Sequence, residues 1–538
     1  VPAFENDAVK SMFWARNILI RLRTVDSAVR RAQRCIASDF MSNKPTRLLA
    51  GVLLAFAFAA MAVAARAQSA PFAWGYNNLG QLGNNSAANS STPLAVDLTG
   101  ALAGKTVTAM AMGFYHSVAL CSDGTVATWG GNNFGQLGNN GVTGNSAPPS
   151  LVPVAVNTDS GVSALFGKTV VAVAASYSTT LALCSDGTLA TWGSLNFDGN
   201  LPPVESAVPV AVDMTGVLSG KVVTQIAAGS EHFLVLCSDG SMAAWGQNSL
   251  GQLGNNSTAA SNVPVLVATA GTALAGKTVA AIAAGGGFPG PSGQRGHNLA
   301  LCADGTLVAW GSGGNGELGN NSQNNVNPLA IPVYVGPGSA LQGKTVVKIA
   351  AGGGHSLALC SDNTIATWGT YSSFGTGINA GGVTPTAVDT VGSALAGKTV
   401  TALAGGYCYS FALCSDGTMA SWGRNNEGQL GDGSPISKTL PVAVASNQSF
   451  TAVFGGAFTL HALALASPCA PASMSIAQYA GITVSGTIGC VYEIQYTTSL
   501  TPPVAWTTLT TVTLTAGTYL HIDTTAPSGG RFYRVVSQ

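Results

Sequence analysis

Three stretches of this sequence carry the residues that a phosphate-binding loop would use. "GTALAGKT" (271–278), "GSALQGKT" from Gly338 and "GSALAGKT" from Gly392 each satisfy G-x-x-x-x-G-K-[ST], with Lys277, Lys344 and Lys398 as the phosphate-facing lysines. In a nucleotide site such a loop leaves a buried strand and opens a helix, whose first amides face the phosphates. Here "TVAAIAAGGG" follows Lys277, a run that suits a strand and whose glycines would end a helix within two turns. Sister copies break the spacing ("GALAGKT", "GVSALFGKT") or lack the hydroxyl ("GVLSGKV"). The expectation is a repeated loop-to-strand junction that binds no nucleotide and no cofactor. Lys105, Lys168, Lys221, Lys277, Lys344 and Lys398 would then be solvated rim charges beside a glycine turn.

Histidine and cysteine raise two further chemistries. His116, His232, His297, His355 and His461, five of the six histidines, share one repeat position. A metal or catalytic cluster needs its ligands to converge, and equivalent positions of successive repeats are spread apart, so each is expected to be a structural hydrogen-bonding residue. Cys121, Cys184, Cys237, Cys302, Cys360 and Cys414 likewise share a strand position. Packed sheets lie about 10 Å apart, beyond the roughly 7 Å Cα separation a disulfide tolerates, so these read as buried thiols acting as small apolar residues. Cys469 and Cys490 lie outside the repeats and are the candidates for a disulfide, while Cys408 has no evident partner. No paired carboxylates, calcium loop, C-x-x-C pair or G-x-S-x-G elbow stands out, so no catalytic residue and no metal ligand is assigned.

The elements that position these residues form a repeat. "LAGKTVTAMAMGFYHSVALCSDGTVATWGGNNFGQLGNN" (102–140) aligns with "LSGKVVTQIAAGSEHFLVLCSDGSMAAWGQNSLGQLGNN" (218–256). Trp-Gly pairs begin at Trp74, Trp129, Trp192, Trp245, Trp310, Trp368 and Trp422. Within a unit, "VVTQIAAG", "HFLVLCS" and "SMAAWG" read as consecutive antiparallel strands, and a Pro-Val segment completes it. Asp239-Gly240 is read as a two-residue hairpin turn with both residues at positive φ. Four-stranded sheets of this size bury both faces by stacking radially as propeller blades. Trp74 has no His-x-x-x-x-Cys strand before it, and "HALALA" from His461 has no Trp-Gly after it. Joining the two closes a seven-membered ring.

The ordered set G-x-x-H-S-x-A-L, D-G, W-G and G-Q-L-G resembles the regulator-of-chromosome-condensation repeat family over about residues 71–466. The resemblance implies a seven-bladed β-propeller whose members include guanine-nucleotide exchange factors for small GTPases and secreted bacterial inhibitors of β-lactamases. "GSLNFDGN" (193–200) and "GTYSSFGTG" (369–377) lack G-Q-L-G, and Thr179 and Tyr409 replace the histidine, which suggests irregular blade edges. The whole chain is therefore expected to be all-β: a seven-bladed β-propeller at 71–466 followed by a small β-sandwich at 469–538. That last segment is Thr-rich, with alternating strands such as "VYEIQYTTS" and "RFYRVVS", and its ending resembles fibronectin-like terminal modules of secreted bacterial proteins.

Composition bounds the function. Charged residues are 8% of the chain, with 68 glycines, as expected for strands buried on both faces and joined by tight turns. Residues 68–538 hold twelve Lys/Arg against eighteen Asp/Glu, a formal charge of −6 that argues against a nucleic-acid partner. Residues 41–67 read as a signal peptide: "MSNKPTR", an apolar run, then Ala65-Arg66-Ala67. A membrane anchor is the alternative. Residues 1–40 would precede the true start. The expected function is an exported, non-enzymatic, monomeric scaffold, secreted, periplasmic or on the cell surface, that binds an unknown protein partner through loops on one face. An exchange factor and an extracellular glycan-binding protein are the alternatives. The principal binding loop is expected between Gly285 and His297, where the Gly-to-His step takes twelve residues instead of three and carries Phe288 and Arg295.

Overall fold

A computed structural model describes residues 69–467, apart from 145–146, 196–204, 291–292, 371–374 and 376–381, together with six strands beyond residue 467. The side chains of 288–295 also lie outside the described residues. So do the segments read as an upstream extension (1–40) and a signal (41–67), both cysteines of the candidate pair Cys469 and Cys490, and most of the two irregular edges.

Seven four-stranded antiparallel sheets form the blades. Blade 1 runs Val107–Met112, His116–Cys121, Val126–Gly130 and Ser150–Ala155, and five more follow in the same order. Blade 7 is built from both ends of the propeller: Phe450–Phe454 and His461–Ala466 pair with Ala70–Gly75 and Ser90–Ala95. Trp74 lies opposite Ala462, and Gly75 opposite His461. The strand that lacked a Trp-Gly partner thus finds one some 390 residues away, and the ring closes by ordinary ladder pairing.

Burial follows radial position. The second strand of six blades is buried at all six residues, as in His116–Cys121, and so are residues 297–302 of the fourth blade, because a neighbouring blade covers each face. Every outer strand contains a proline: Pro93, Pro153, Pro209, Pro264, Pro328, Pro385 and Pro441. Proline lacks the N–H that would recruit a further strand, so it suits an exposed edge and blunts it against aggregation. Apolar side chains gather in seven wedges, one between each pair of blades. Each of the six repeat cysteines fills one wedge, and Ala466 takes the place in the seventh.

The Asp-Gly turn differs from its sequence reading in one respect. Only the glycine takes positive φ (Gly124, 79°), while Asp123 does not. The turn is the three-residue type, Ser122-Asp123-Gly124, closed by Gly124 N–H donating to the Cys121 carbonyl. Asp123 is thereby free to accept from the Thr125 amide and hydroxyl.

Beyond residue 467 the strands form two three-stranded antiparallel sheets. One holds Ser473–Ile476, Gly481–Ser485 and Thr518–Ile522; the other holds Val491–Thr497, Thr507–Thr513 and Phe532–Ser537. No helix among the described residues is long and apolar enough to cross a membrane.

Candidate partner-binding face

Antiparallel order gives the disc two distinct faces. Gly-x-x-His connections and Gly-Gln-Leu-Gly loops share one, here called the mouth face. Asp-Gly turns and the lysine-bearing segments share the other, the turn face.

On the turn face the phosphate-loop lookalikes acquire a different role. Lys277, Lys344 and Lys398 each lead within two residues into a strand, not a helix. The six lysines read as solvated rim charges are in addition ion-paired to the Asp of the turn in their own blade: Lys105–Asp123 2.6 Å, Lys168–Asp186 2.9 Å, Lys221–Asp239 2.5 Å, Lys277–Asp304 2.6 Å, Lys344–Asp362 2.7 Å and Lys398–Asp416 2.6 Å. The strand pairing brings both ends of each blade's first hairpin together, which sequence spacing alone did not reveal. The lysine hydrogen bond, followed by that of the neighbouring Thr, holds the carboxyls of Asp123 and Asp186 down at about 2.

Toward the mouth face, the repeat histidines latch blade to blade. His116 Nε2 lies 2.8 Å from Thr180 Oγ1, His232 2.9 Å from Asn298 Oδ1, His297 3.0 Å from Ser356 Oγ, His355 2.9 Å from Ser410 Oγ and His461 2.8 Å from Ser117 Oγ. Burial pushes these imidazoles down, to about 4 for His232 and about 3 for the other four, so they are neutral at physiological pH. The glycine of G-x-x-H exists for this ring: a Cβ at Gly113 would sit 2.4 Å from His116 Cε1. Tyr409 substitutes for histidine, its hydroxyl donating to the His461 carbonyl at 2.6 Å. Thr179 donates within its own blade to the Ser194 carbonyl, and blade 3 carries Phe233 where the histidine latches find a hydroxyl or amide. Indole N–H groups add a second set of inter-blade bonds: Trp74, Trp129, Trp192, Trp310 and Trp368 donate to the carbonyls of Gln429, Gln81, Gln136, Gln252 and Glu317 at 2.7–3.1 Å. Trp245 and Trp422 are buried in the equivalent wedges.

The cysteines are inert in this setting. All seven described are unbridged and buried, and burial raises the repeat thiols, Cys360 to about 11. Among the described residues no group of three or more His, Cys, Asp or Glu is placed to hold a metal ion.

Model matches fit this geometry. Residues 72–120, 123–183, 239–288, 304–359 and 416–463 match the regulator of chromosome condensation (RCC1) repeat, and a second model of the same repeat matches 107–136, 170–200, 223–252, 346–376 and 400–429. The chain belongs to the RCC1-repeat family. Among RCC1-repeat relatives, the E3 ubiquitin-protein ligase HERC2 of Homo sapiens is 30% identical over 379 residues, 70% of this chain but 7% of that protein's length. The ultraviolet-B receptor UVR8 of Arabidopsis thaliana is 29% identical over 339 residues, 62% of this chain and 68% of the receptor. Two solved propellers share the fold at 21% identity and a TM-score of 0.61: yeast RCC1 (75% of this chain, 90% of that one) and human WBSCR16 (74% and 99%).

The feature of this RCC1-repeat propeller that sequence reasoning missed is the mouth of its central channel. Inner strands line a channel of about 270 Å³ with Ala, Gly, Val and Met. At its mouth-face end Phe114 and Tyr115 (blade 1), Tyr177 (blade 2), Tyr407 (blade 6) and Phe458 (blade 7) form one aromatic cluster. Phe114 stacks on Tyr177 (5.2 Å) and on Phe458 (5.0 Å), and Tyr407 meets Phe458 edge-on at 5.1 Å. Phe458 is buried and the other four are half-exposed. All occupy connections between the first and second strand, where blade 3 carries Ser230-Glu231 and blade 5 Gly353-Gly354. That contrast was the available signal. It is visible only when the non-repeating positions, rather than the repeating ones, are compared.

The expected projecting loop is a paired hairpin. Val279–Gly290 and Gly293–Cys302 continue the ladder through Gly285↔His297, Gly286↔Gly296, Gly287↔Arg295 and Gly290↔Gly293, so the extra backbone groups find partners. It leaves the disc on the mouth face. The side chains of Phe288 and Arg295 lie outside the described residues.

Proposed function

We propose that this protein is an exported, non-enzymatic propeller that binds a protein partner across its mouth face. The observation that carries the reading is the half-exposed aromatic cluster at the channel mouth. Aromatic side chains are enriched at binding hot spots, and a rigid ring of blades presents these without reorganisation. The hairpin at 279–302 stands on the same face and would extend the contact surface, with Phe288 and Arg295 as its candidate anchors. Proteins that share the fold are known with protein partners: one structure shows yeast RCC1 bound to Kap60, and another concerns the binding of Prp20p to Gsp1p and histones.

Export rests on the basic segment, apolar run and Ala-Arg-Ala triplet of residues 41–67. The two C-terminal sheets would form a small sandwich module outside the cell. Family membership supports a second reading, an exchange factor for a small GTPase inside it. The deciding experiment is affinity capture from native envelope or medium with the full chain and with Phe114→Ala/Tyr177→Ala. Loss of specific partners from a folded variant supports the mouth-face reading, and their complete retention overturns it. Faster release of labelled GDP from a small GTPase would favour the second reading.

A further inference from the structure

Glu231 stands immediately before His232, on the blade 3 connection of the mouth face. Its counterparts in the other blades are Tyr115, Ser178, Gly296, Gly354, Cys408 and Leu460, so no other blade places an acid here. The connection abuts the aromatic cluster directly, since Tyr177 N–H donates to the Ser230 carbonyl at 3.0 Å. Tyr177 in turn shares a 2.9 Å hydroxyl contact with Tyr115. Burial is the first cause raising the Tyr177 hydroxyl, then the Tyr115 hydroxyl contact, with the charge of Glu231 adding to them.

Among the described residues the Glu231 carboxylate has neither an ion pair nor a side-chain hydrogen bond, whereas every turn-face aspartate named above has both. Burial alone pushes it up to about 7. Arg424 lies over the Tyr407 ring at 5.3 Å on blade 6, three blades away. An isolated, partly desolvated carboxylate costs stability unless a cation meets it.

Resting on the mouth-face reading above, we propose that the channel mouth takes a basic side chain, lysine or arginine, from a protein partner's docking segment, with the charge on Glu231 and the aliphatic stem against Tyr177 and Tyr115. Ring faces attract cations, and a half-buried carboxylate pairs more strongly than one in open water. An acidic segment would meet like charge, and a neutral one would leave the carboxylate unpaired.

The test uses calorimetry on the full chain with acetylated, amidated peptides of sequence Gly-Ser-Phe-X-Ser-Gly, where X is arginine, lysine, citrulline or glutamate. The arginine and lysine peptides should bind about tenfold more tightly than the other two. Glu231→Gln should abolish that preference while leaving the melting temperature equal or higher, and Tyr177→Ala should weaken both basic peptides. Equal binding of citrulline and arginine, a preference that survives Glu231→Gln, or no binding of any peptide at millimolar concentration would each overturn the proposal. Partner capture separates the two levels. Partners lost with Tyr177→Ala but kept with Glu231→Gln refute recognition of a cation and leave the docking face standing. Partners kept by both variants remove the docking face, and this inference with it.

Discussion

On the turn face, six blades repeat one Lys–Asp pair at 2.5–2.9 Å. On the mouth face the same six connections present Phe-Tyr, Tyr, Glu, a long hairpin, glycines and Tyr. The turn-face pairs join residues of a single blade, so each copy can keep its own without reference to its neighbours. Mouth-face bonds cross between blades, through histidine and tryptophan set just inside the rim. With ring integrity fixed there by buried side chains, the residues between Gly and His are released from structural duty. Variation collects where it is structurally cheap and sterically exposed, and that is where a binding surface can be built.

This contrast can be broken at its strongest point by removing ring closure. Deleting Ala70–Gly75 takes away fully buried Trp74 and its 3.0 Å bond to Gln429, and leaves His461–Ala466 as an open edge. The expected loss is at least about 5 kcal/mol of stability with visible aggregation, read by thermal melting and light scattering.

Acid should separate the two faces next. The five latch histidines bind protons less readily folded (about 3 to 4) than unfolded (near 6.5). Stability is therefore full above pH 6.5 and falls as pH drops toward 4, by on the order of 2 kcal/mol per histidine at pH 5. Turn-face carboxyls held down to about 2, such as Asp123 and Asp186, begin to lose their contribution only below about pH 4. Circular dichroism against pH should show cooperative unfolding before those carboxyls titrate. A native spectrum and unchanged melting temperature at pH 4.5 would contradict the latch account.

A single latch sharpens the comparison. His355→Ala leaves Ser410 without its inter-blade partner and opens a cavity, at an expected cost of about 2–3 kcal/mol by denaturant melting. Lys105→Ala on the turn face should cost roughly 0.5 kcal/mol, and less at high salt, because the pair is largely solvated. Equal costs for the two would erase the distinction between the faces.

Much of the scaffold was legible because repetition itself is a signal. Trp-Gly, Asp-Gly and Gly-Gln-Leu-Gly recur in register, and the unmatched ends around Trp74 and His461 by themselves identify the shared blade. The candidate site was not legible in that way. The one conspicuous insertion, 285–297, drew attention as a loop and is a paired hairpin. Phe114, Tyr177, Tyr407 and Phe458 lie up to 344 residues apart in sequence and belong to no spacing pattern.

Sequence alone determined the repeat, the blade number, the position of each latch residue and the absence of a helix after the phosphate-loop lookalikes, because these follow from local periodicity and turn chemistry. Only the tertiary structure decided that each lookalike lysine meets the aspartate of its own hairpin, that each histidine reaches the next blade, and that four scattered connections assemble around one channel. The physical reason is the same in each case. Strand pairing and ring closure bring together groups whose separation along the chain carries no information about their separation in space.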